Sequence, residues 1–349
     1  MAVPGISEAA LAELMSAVEK GYKALRLERH ARAADLFGRA AACVAAAGAP
    51  PDSLILAALL MRRASSLMQQ QQQFCSISFS PDAPALSADA SAITCDVRRT
   101  LCARDKAGTL LPGGLRSDEL AFARALIPVE LGFTDPVLYS DEHIRRFAVA
   151  DAVLLGYDTA LRCATLSLSR LMPKSDDMNT IMLPSLAGAE ADADRAWVLR
   201  AMSLVCEVQH TFHTFSGPEM SFLYMLNFIV KQIEVGGLAV VDARFRDALS
   251  AAFFAPQFVT SLQAHGSFQK LSSGWMVKDV AESKARHEAD VAAFGLRACA
   301  LPSCSAREVT VRQFKVCGAC KQAAYCCFEH SKVHWKAGHK QECSGAAKK

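Results

Sequence analysis

Residues 299–343 read CALPSCSAREVTVRQFKVCGACKQAAYCCFEHSKVHWKAGHKQEC. Soft and borderline ligands fall in four pairs: Cys299-x4-Cys304, Cys317-x2-Cys320, Cys326-x3-His330 and His339-x3-Cys343. Eight such side chains suit two tetrahedral sites, and thiolate with imidazole suits zinc in number and geometry. Each site would be Cys3His and closed, with no open position for water. That implies two zinc ions per chain in a structural role. Two neighbours could also serve: Cys327 adjoins Cys326 and could compete with it, and His334 could substitute for His330.

The energetics point the same way. The large apolar side chains near this stretch are Val309, Val311, Phe314, Val316, Tyr325, Phe328, Val333 and Trp335. A core that small does not fold alone. Structural zinc in small fingers supplies on the order of 10–16 kcal/mol of apparent binding energy per site, and that energy goes into folding.

These residues resemble the MYND zinc finger family. Its pattern is C-x2-C twice, then C-x3-C, then H-x3-C, with a tryptophan before the last histidine. Cys317-x2-Cys320-x5-Cys326, Tyr325, Trp335 and His339-x3-Cys343 match it. The sequence departs in the longer first knuckle and in His330, which stands where cysteine is usual. The resemblance implies interleaved sites, Cys299, Cys304, Cys326 and His330 in one and Cys317, Cys320, His339 and Cys343 in the other. It also implies an interaction module that binds proline-containing peptides in a shallow groove lined by a tryptophan and a glutamine. Trp335 matches that tryptophan, and Ser331 stands where the glutamine is expected.

Outward from this stretch, seven of the 13 cysteines lie in residues 299–349 and six in the rest. Cys43, Cys75, Cys95, Cys102, Cys163 and Cys206 show no C-x-x-C spacing and read as small core hydrophobes or solvent-facing thiols. An odd total without a secretory leader argues against a disulfide framework. The chain carries +3 formally, with the tail at +6 and the remainder at −3. Six thiolates and two zinc ions would lower the tail to +4 and the chain to +1, which places nucleic-acid binding behind protein binding. The apolar runs Leu54–Met61 and Met220–Val230 are shorter than a membrane span of about 18 residues. Met1–Leu14 lacks a signal peptide's basic and apolar regions. The expected setting is intracellular, cytoplasmic or nuclear, without membrane contact.

The body reads as mainly α. Helices are expected over 7–27, with Ser7 as N-cap, over 29–47, and from an Asp52 or Ser53 cap to about Met68. This N-terminal pair resembles a tetratricopeptide repeat: Gly21, Ala33, Phe37 and Ala40 fall at that family's small and aromatic positions. Ala17, Lys20, Ala24 and Ala45 depart from it, no second copy is clear, and a generic helical hairpin is the other reading. Gln69–Gln73 and the Ser, Pro, Asp and Gly that follow read as a linker with a short helix near 88–104. Further helices are expected over 117–126, 141–171, 187–214, 218–235, 242–253, 256–265 and 276–294. The acidic stretch Glu190–Asp194 reads as a solvated first turn.

The expected organisation is therefore a hairpin region (1–70), a linker (71–116), a helical domain (117–296) and a two-zinc finger (297–345). Phosphate loops, dinucleotide fingerprints, nucleophile elbows and kinase signatures are absent from the sequence. Glu207, His210 and His213 sit at i, i+3 and i+6, which does not put all three on one helix face. A lysine methyltransferase of the kind that joins MYND to SET would need an N-H-S-type motif and a strand-rich body, and neither is found. The expected function is non-enzymatic: a zinc-binding adaptor that contacts other proteins. A MYND-associated transcriptional regulator touching nucleic acid is the alternative.

Overall fold

A computed structural model describes residues 7–77, 83–111, 114–131, 154–171, 186–208, 217–235, 242–264, 273–308 and 311–343. Among these the protein is mainly α-helical, with two short strands near the C-terminus. The chain divides into two compact units, Met1–Leu226 with Ala251–Gly274, and Asn227–Ser250 with Trp275–Lys349.

The first unit opens with α1 (Glu8–Arg26), α2 (His30–Ala46), α3 (Leu54–Ile77) and α4 (Ala83–Lys106). Ser7 caps α1 by accepting a hydrogen bond from the Ala10 N–H at 3.2 Å. Ser53, rather than Asp52, caps α3, accepting from the Leu56 N–H at 3.3 Å. Short connections fold successive helices onto one another. The small positions in the first pair act as expected. Gly21 faces the Phe37 ring so closely that an added Cβ would lie 3.0 Å from it. Ala33, Phe37 and Ala40 are fully buried there.

Most of the linker expected over 71–116 is helical: α3 runs on to Ile77, and α4 contains and lengthens the short helix expected near 88–104. The glutamine run continues α3, because glutamine is a good helix former once the turn is nucleated. α4 buries Ala90, Thr94, Val97, Arg98 and Leu101 at i, i+4, i+7, i+8 and i+11. Ala90 packs on Ala64, Leu67 and Met68 of α3. Several of these inward positions are small or polar, so an apolar stripe was hard to see.

Next come α5 (Ser117–Leu131), α6 (Thr159–Leu171, preceded by a π-turn at Leu154–Asp158) and α7 (Gly188–Val208). Gly156 sits against the Leu110 carbonyl, which would lie 2.1 Å from a Cβ at that position. Trp197 is buried and its indole N–H donates to the Ala160 carbonyl at 3.3 Å. Buried Glu119 ties three elements together. It accepts from the Leu54 N–H at the start of α3, from Arg104 at 2.8 Å and from Arg116 at 2.8 Å. Buried Cys163 and Cys95 match the reading of body cysteines as core residues, and burial pushes both thiols up.

The acidic stretch is a correction. Asp194 is not solvated: it is fully buried between Arg98 of α4 and Arg170 of α6. Arg170 donates from Nε to Asp194 Oδ2 at 2.6 Å and from Nη2 to Oδ1 at 2.6 Å. The Ser167 hydroxyl adds a bond to Oδ1 at 2.9 Å, and Arg98 completes the set. Glu190 pairs with Arg98 and Arg99, whose hydrogen bonds hold its carboxyl down at about 2. Only Asp192 behaves as expected, exposed beside Arg195.

Three helices complete the body: α8 (Gly217–Glu234), α9 (Ala243–Phe253) and α10 (Pro256–Ala264), then α11 (Ser273–Phe294) leads to the C-terminal stretch. In the second unit Lys231 pairs with Asp279 at 3.0 Å and Lys284 with Glu234 at 2.8 Å. This unit holds the end of α8, most of α9 and α11 together with residues 297–343. No helix among the described residues is long and apolar enough to cross a membrane.

Candidate metal centre

Four short pieces of backbone carry the eight ligand-type residues. The first is a loop closed by an antiparallel bridge between Ala298 and Arg307. Within it the Cys299 N–H donates to the Ala306 carbonyl at 2.9 Å, and a turn brings the Cys304 N–H to the Leu301 carbonyl at 2.9 Å. The second is the hairpin of β1 (Lys315–Val316) and β2 (Ala324–Tyr325), paired antiparallel, whose turn holds Cys317 and Cys320. The third is α12 (Phe328–His334), which places His330 one turn after Cys326. The fourth is a π-turn at Trp335–His339 and a last helical turn, Lys340–Glu342, which deliver His339 and Cys343.

These pieces bring the eight residues into two groups, each of which could hold a metal ion. Cys299, Cys304, Cys326 and His330 form one, and Cys317, Cys320, His339 and Cys343 the other. Ligand atoms within each group lie within 4.8 Å of one another. The interleaving of first with third pair and second with fourth is therefore present in the fold. Zn–S bonds of about 2.3 Å and Zn–N bonds of about 2.0–2.1 Å make tetrahedron edges of about 3.6–3.8 Å. Cys304 and Cys326 sulfurs are 3.8 Å apart, Cys317 and Cys343 sulfurs 3.9 Å, and Cys320 Sγ is 3.6 Å from His339 Nε2. Cys299 Sγ is 3.7 Å from His330 Nδ1, while Cys326 Sγ is nearer that nitrogen, at 3.1 Å. The donor sets thus fit tetrahedral ions, with His330 offering Nδ1 and His339 offering Nε2.

The two alternative ligands fall outside the groups. Cys327 is exposed at the start of α12. His334 has its Nδ1 3.1 Å from the Tyr325 hydroxyl and stacks on His339. Of the weaker histidine cluster, Glu207 pairs with Arg200, while His210 and His213 lie outside the described residues.

Charge in the groups is uneven. Burial opposes ionisation of Cys299, but backbone N–H groups of Cys326 and Leu301 and the His330 side chain outweigh it, bringing the thiol to about 7. Cys317 is likewise opposed by burial and brought to about 6 by the Cys320 backbone N–H and by His339. Cys326 is pushed up to about 12 by burial and by hydrogen bonds with Cys304 and Cys299.

Beyond the ligands, the apolar core here is smaller than the sequence reading expected. Phe314 and Tyr325 are buried with Leu301 and Ala324, and Trp335 packs against them. Val316, Phe328 and Val333 are exposed instead, Phe328 to 63%. The short elements cannot cover them, and Val316 and Phe328 have another place. They line a groove of about 390 Å³ with Tyr325, Cys327, Ser331 and Trp335. The groove thus contains both residues marked from sequence, Trp335 and Ser331, together with Val316, Tyr325, Cys327 and Phe328, whose place there the spacing of ligands could not reveal. Lys332 lies over the Phe328 ring, 4.3 Å from its centroid.

Sequence reasoning also missed Glu308. Its buried carboxylate accepts from the Arg297 N–H at 2.9 Å, the Phe314 N–H at 2.8 Å and the Arg297 guanidinium. Burial opposes this charge, and the Arg297 and Phe314 donors overcome it and hold the carboxyl at about 2. A depressed carboxyl contributes stability above its ordinary value of 4.5, and that stability fades as pH falls toward the folded value. Glu308→Ala strips partners from two backbone N–H groups and a guanidinium, and should cost roughly 3–5 kcal/mol. Hydrogen exchange on the full chain at neutral pH checks this. Protection should drop around Arg297 and Phe314, and unchanged protection would contradict the assignment.

No protein-family model, curated protein or solved structure matches the chain.

Proposed function

We propose that residues 297–343 form a two-zinc, MYND-type interaction module and that the protein is a non-enzymatic adaptor. In this reading the groove beside Trp335 takes an extended, proline-containing segment of another protein. The observation that carries it is the coincidence of two features in one stretch. Two closed Cys3His groups stiffen a chain with little core of its own. Beside them, Phe328 and Val316 stay exposed and, with half-buried Trp335, present apolar surface around a groove floored by Tyr325. Apolar surface kept at a groove is the kind that recognises a partner.

Zinc would be structural here. Six thiolates and two imidazoles fill every ligand position, so no water is left to activate. Zinc would carry charge that clustered thiolates could not hold together alone. One ion would tie the Cys299–Cys304 loop to the start of α12, and the other would tie the hairpin turn to the last helical turn.

Elemental analysis of reduced, never-chelated protein should give about two zinc per chain, from the eight-ligand count. A value near zero or one would sink the ligand assignment. Trp335→Ala should abolish capture of proline-containing partners while leaving zinc content at two per chain. Equal capture by this variant would remove the groove from the proposal and leave the metal sites standing.

A further inference from the structure

A second groove lies in the first compact unit, where the end of α1 meets the start of α2. It has a volume of about 340 Å³ and is lined by Lys20, Lys23, Ala24, Leu27, Arg29 and Arg32. Four of six lining side chains are cationic and none is acidic. Lys20, Lys23, Leu27, Arg29 and Arg32 are all exposed, Leu27 to 53%. Among the described residues, no carboxylate pairs with any of the four cations. The ion pair that does link α1 and α2, Arg39 with Glu13, uses other residues.

Folding does not account for this arrangement. Lys23 suits the C-terminal end of α1, where the helix dipole favours a cation. Arg29 and Arg32 do not: they stand at the N-terminal end of α2, where the dipole disfavours positive charge and no acidic residue occupies the first turn. The sequence repeats a basic residue at every third position, Lys20, Lys23, Arg26, Arg29 and Arg32, across the turn between the helices. Four like charges around one hollow repel one another, which costs stability unless an anion faces them.

We propose that this groove docks an acidic segment of a partner protein, with carboxylates against the four cations and an apolar side chain against Leu27. The volume exceeds that of a simple anion, and Leu27 at the rim offers nothing to a phosphate. No aromatic side chain lines the groove, so the stacking platform that single-stranded nucleic acid uses is missing. The site is separate from the groove at Trp335 and does not depend on the zinc reading.

The test uses the full, zinc-loaded chain and fluorescence anisotropy. The probe is a short fluorescein-labelled peptide of Glu and Asp around one Leu. A single-stranded oligonucleotide of equal charge is the competitor class. The peptide should bind, and binding should weaken as salt rises. The double variant Lys23→Glu, Arg32→Glu should bind roughly tenfold or more weakly, and Leu27→Ala a few-fold more weakly. Trp335→Ala should bind as the parent does. These positions are exposed, so the fold should be kept and melting should shift little, because the lost helix-end stabilisation at Lys23 and the relieved repulsion in the groove are each small and opposed. If the charge-reversed pair does melt lower, Lys20→Gln with Arg29→Gln repeats the test without reversal. Failure of the parent to bind the peptide, equal binding by both charge variants, or tighter binding of the oligonucleotide would each overturn the proposal.

Discussion

Stripping zinc from the full chain with a chelator should unfold residues 297–343 and leave the helices of the first compact unit protected. The expectation rests on the proposed metal. Apart from its cysteines, the apolar side chains this stretch buries are Leu301, Phe314, Ala324 and Tyr325, while Phe328 and Val333 stay exposed. So few buried side chains cannot offset the chain entropy of an ordered stretch this long. Zinc at about 10–16 kcal/mol per site in small fingers exceeds anything else available to it. Hydrogen exchange followed by mass spectrometry separates the regions. Protection should vanish across Cys299–Cys343 and persist in α3, α4 and α7. Returning zinc under reducing conditions should restore it. Full protection in protein shown by elemental analysis to be metal-free would mean that the finger folds on packing alone.

The second large effect is expected in the body. Asp194→Asn should lower stability by roughly 3–5 kcal/mol, the usual cost of leaving a buried charge without its partner. Asp194 faces two guanidinium groups, Arg98 and Arg170, both almost fully buried. The amide keeps the shape but removes the charge and turns a donor toward donors. At about 2–4 °C per kcal/mol for a unit of this size, melting should fall by roughly 6–20 °C. Asp192→Asn is the control, since its pair with Arg195 is exposed and exposed pairs contribute little. Equal melting of the two variants would show that Asp194 contributes no more than a surface charge. Glu190 adds an acid-sensitive component. Its carboxyl, held near 2, supports the network above its ordinary range and loses that support as pH falls. Solvent screening keeps this component smaller than that of Asp194, because Glu190 is 37% exposed.

The two predictions differ in how far the sequence could reach them. Ligand identity was readable residue by residue, because metal chemistry admits few donor types and short pairs must sit on tight turns. The grouping of first with third pair came only through a family resemblance, since spacing does not say which turns meet. The fold brings Cys299 to His330 and Cys317 to Cys343, and it separates Cys327 and His334 from both groups. Glu308, distant in sequence from Arg297 and lacking any motif, was invisible until the backbone placed its carboxylate on two N–H groups.

Helices in the body followed from periodicity wherever large apolar residues marked the inward face, as in α1 and α2. Where that face is built from alanine, serine, threonine and arginine, as in α4, the same period carries almost no hydrophobic contrast, and the sequence supports only a short helix near 88–104 where the fold has one over Ala83–Lys106. The sequence by itself determined the helical class, the Ser7 cap and the eight ligand-type residues. All of these depend on chemistry that acts over a turn or two, or on donor types that stand out anywhere. Only the tertiary structure decided which ligands share a site, that Asp194 lies buried between two arginines, and that Phe328 lines a groove instead of a core. Those outcomes depend on which segments, far apart in the chain, come to exclude the same water.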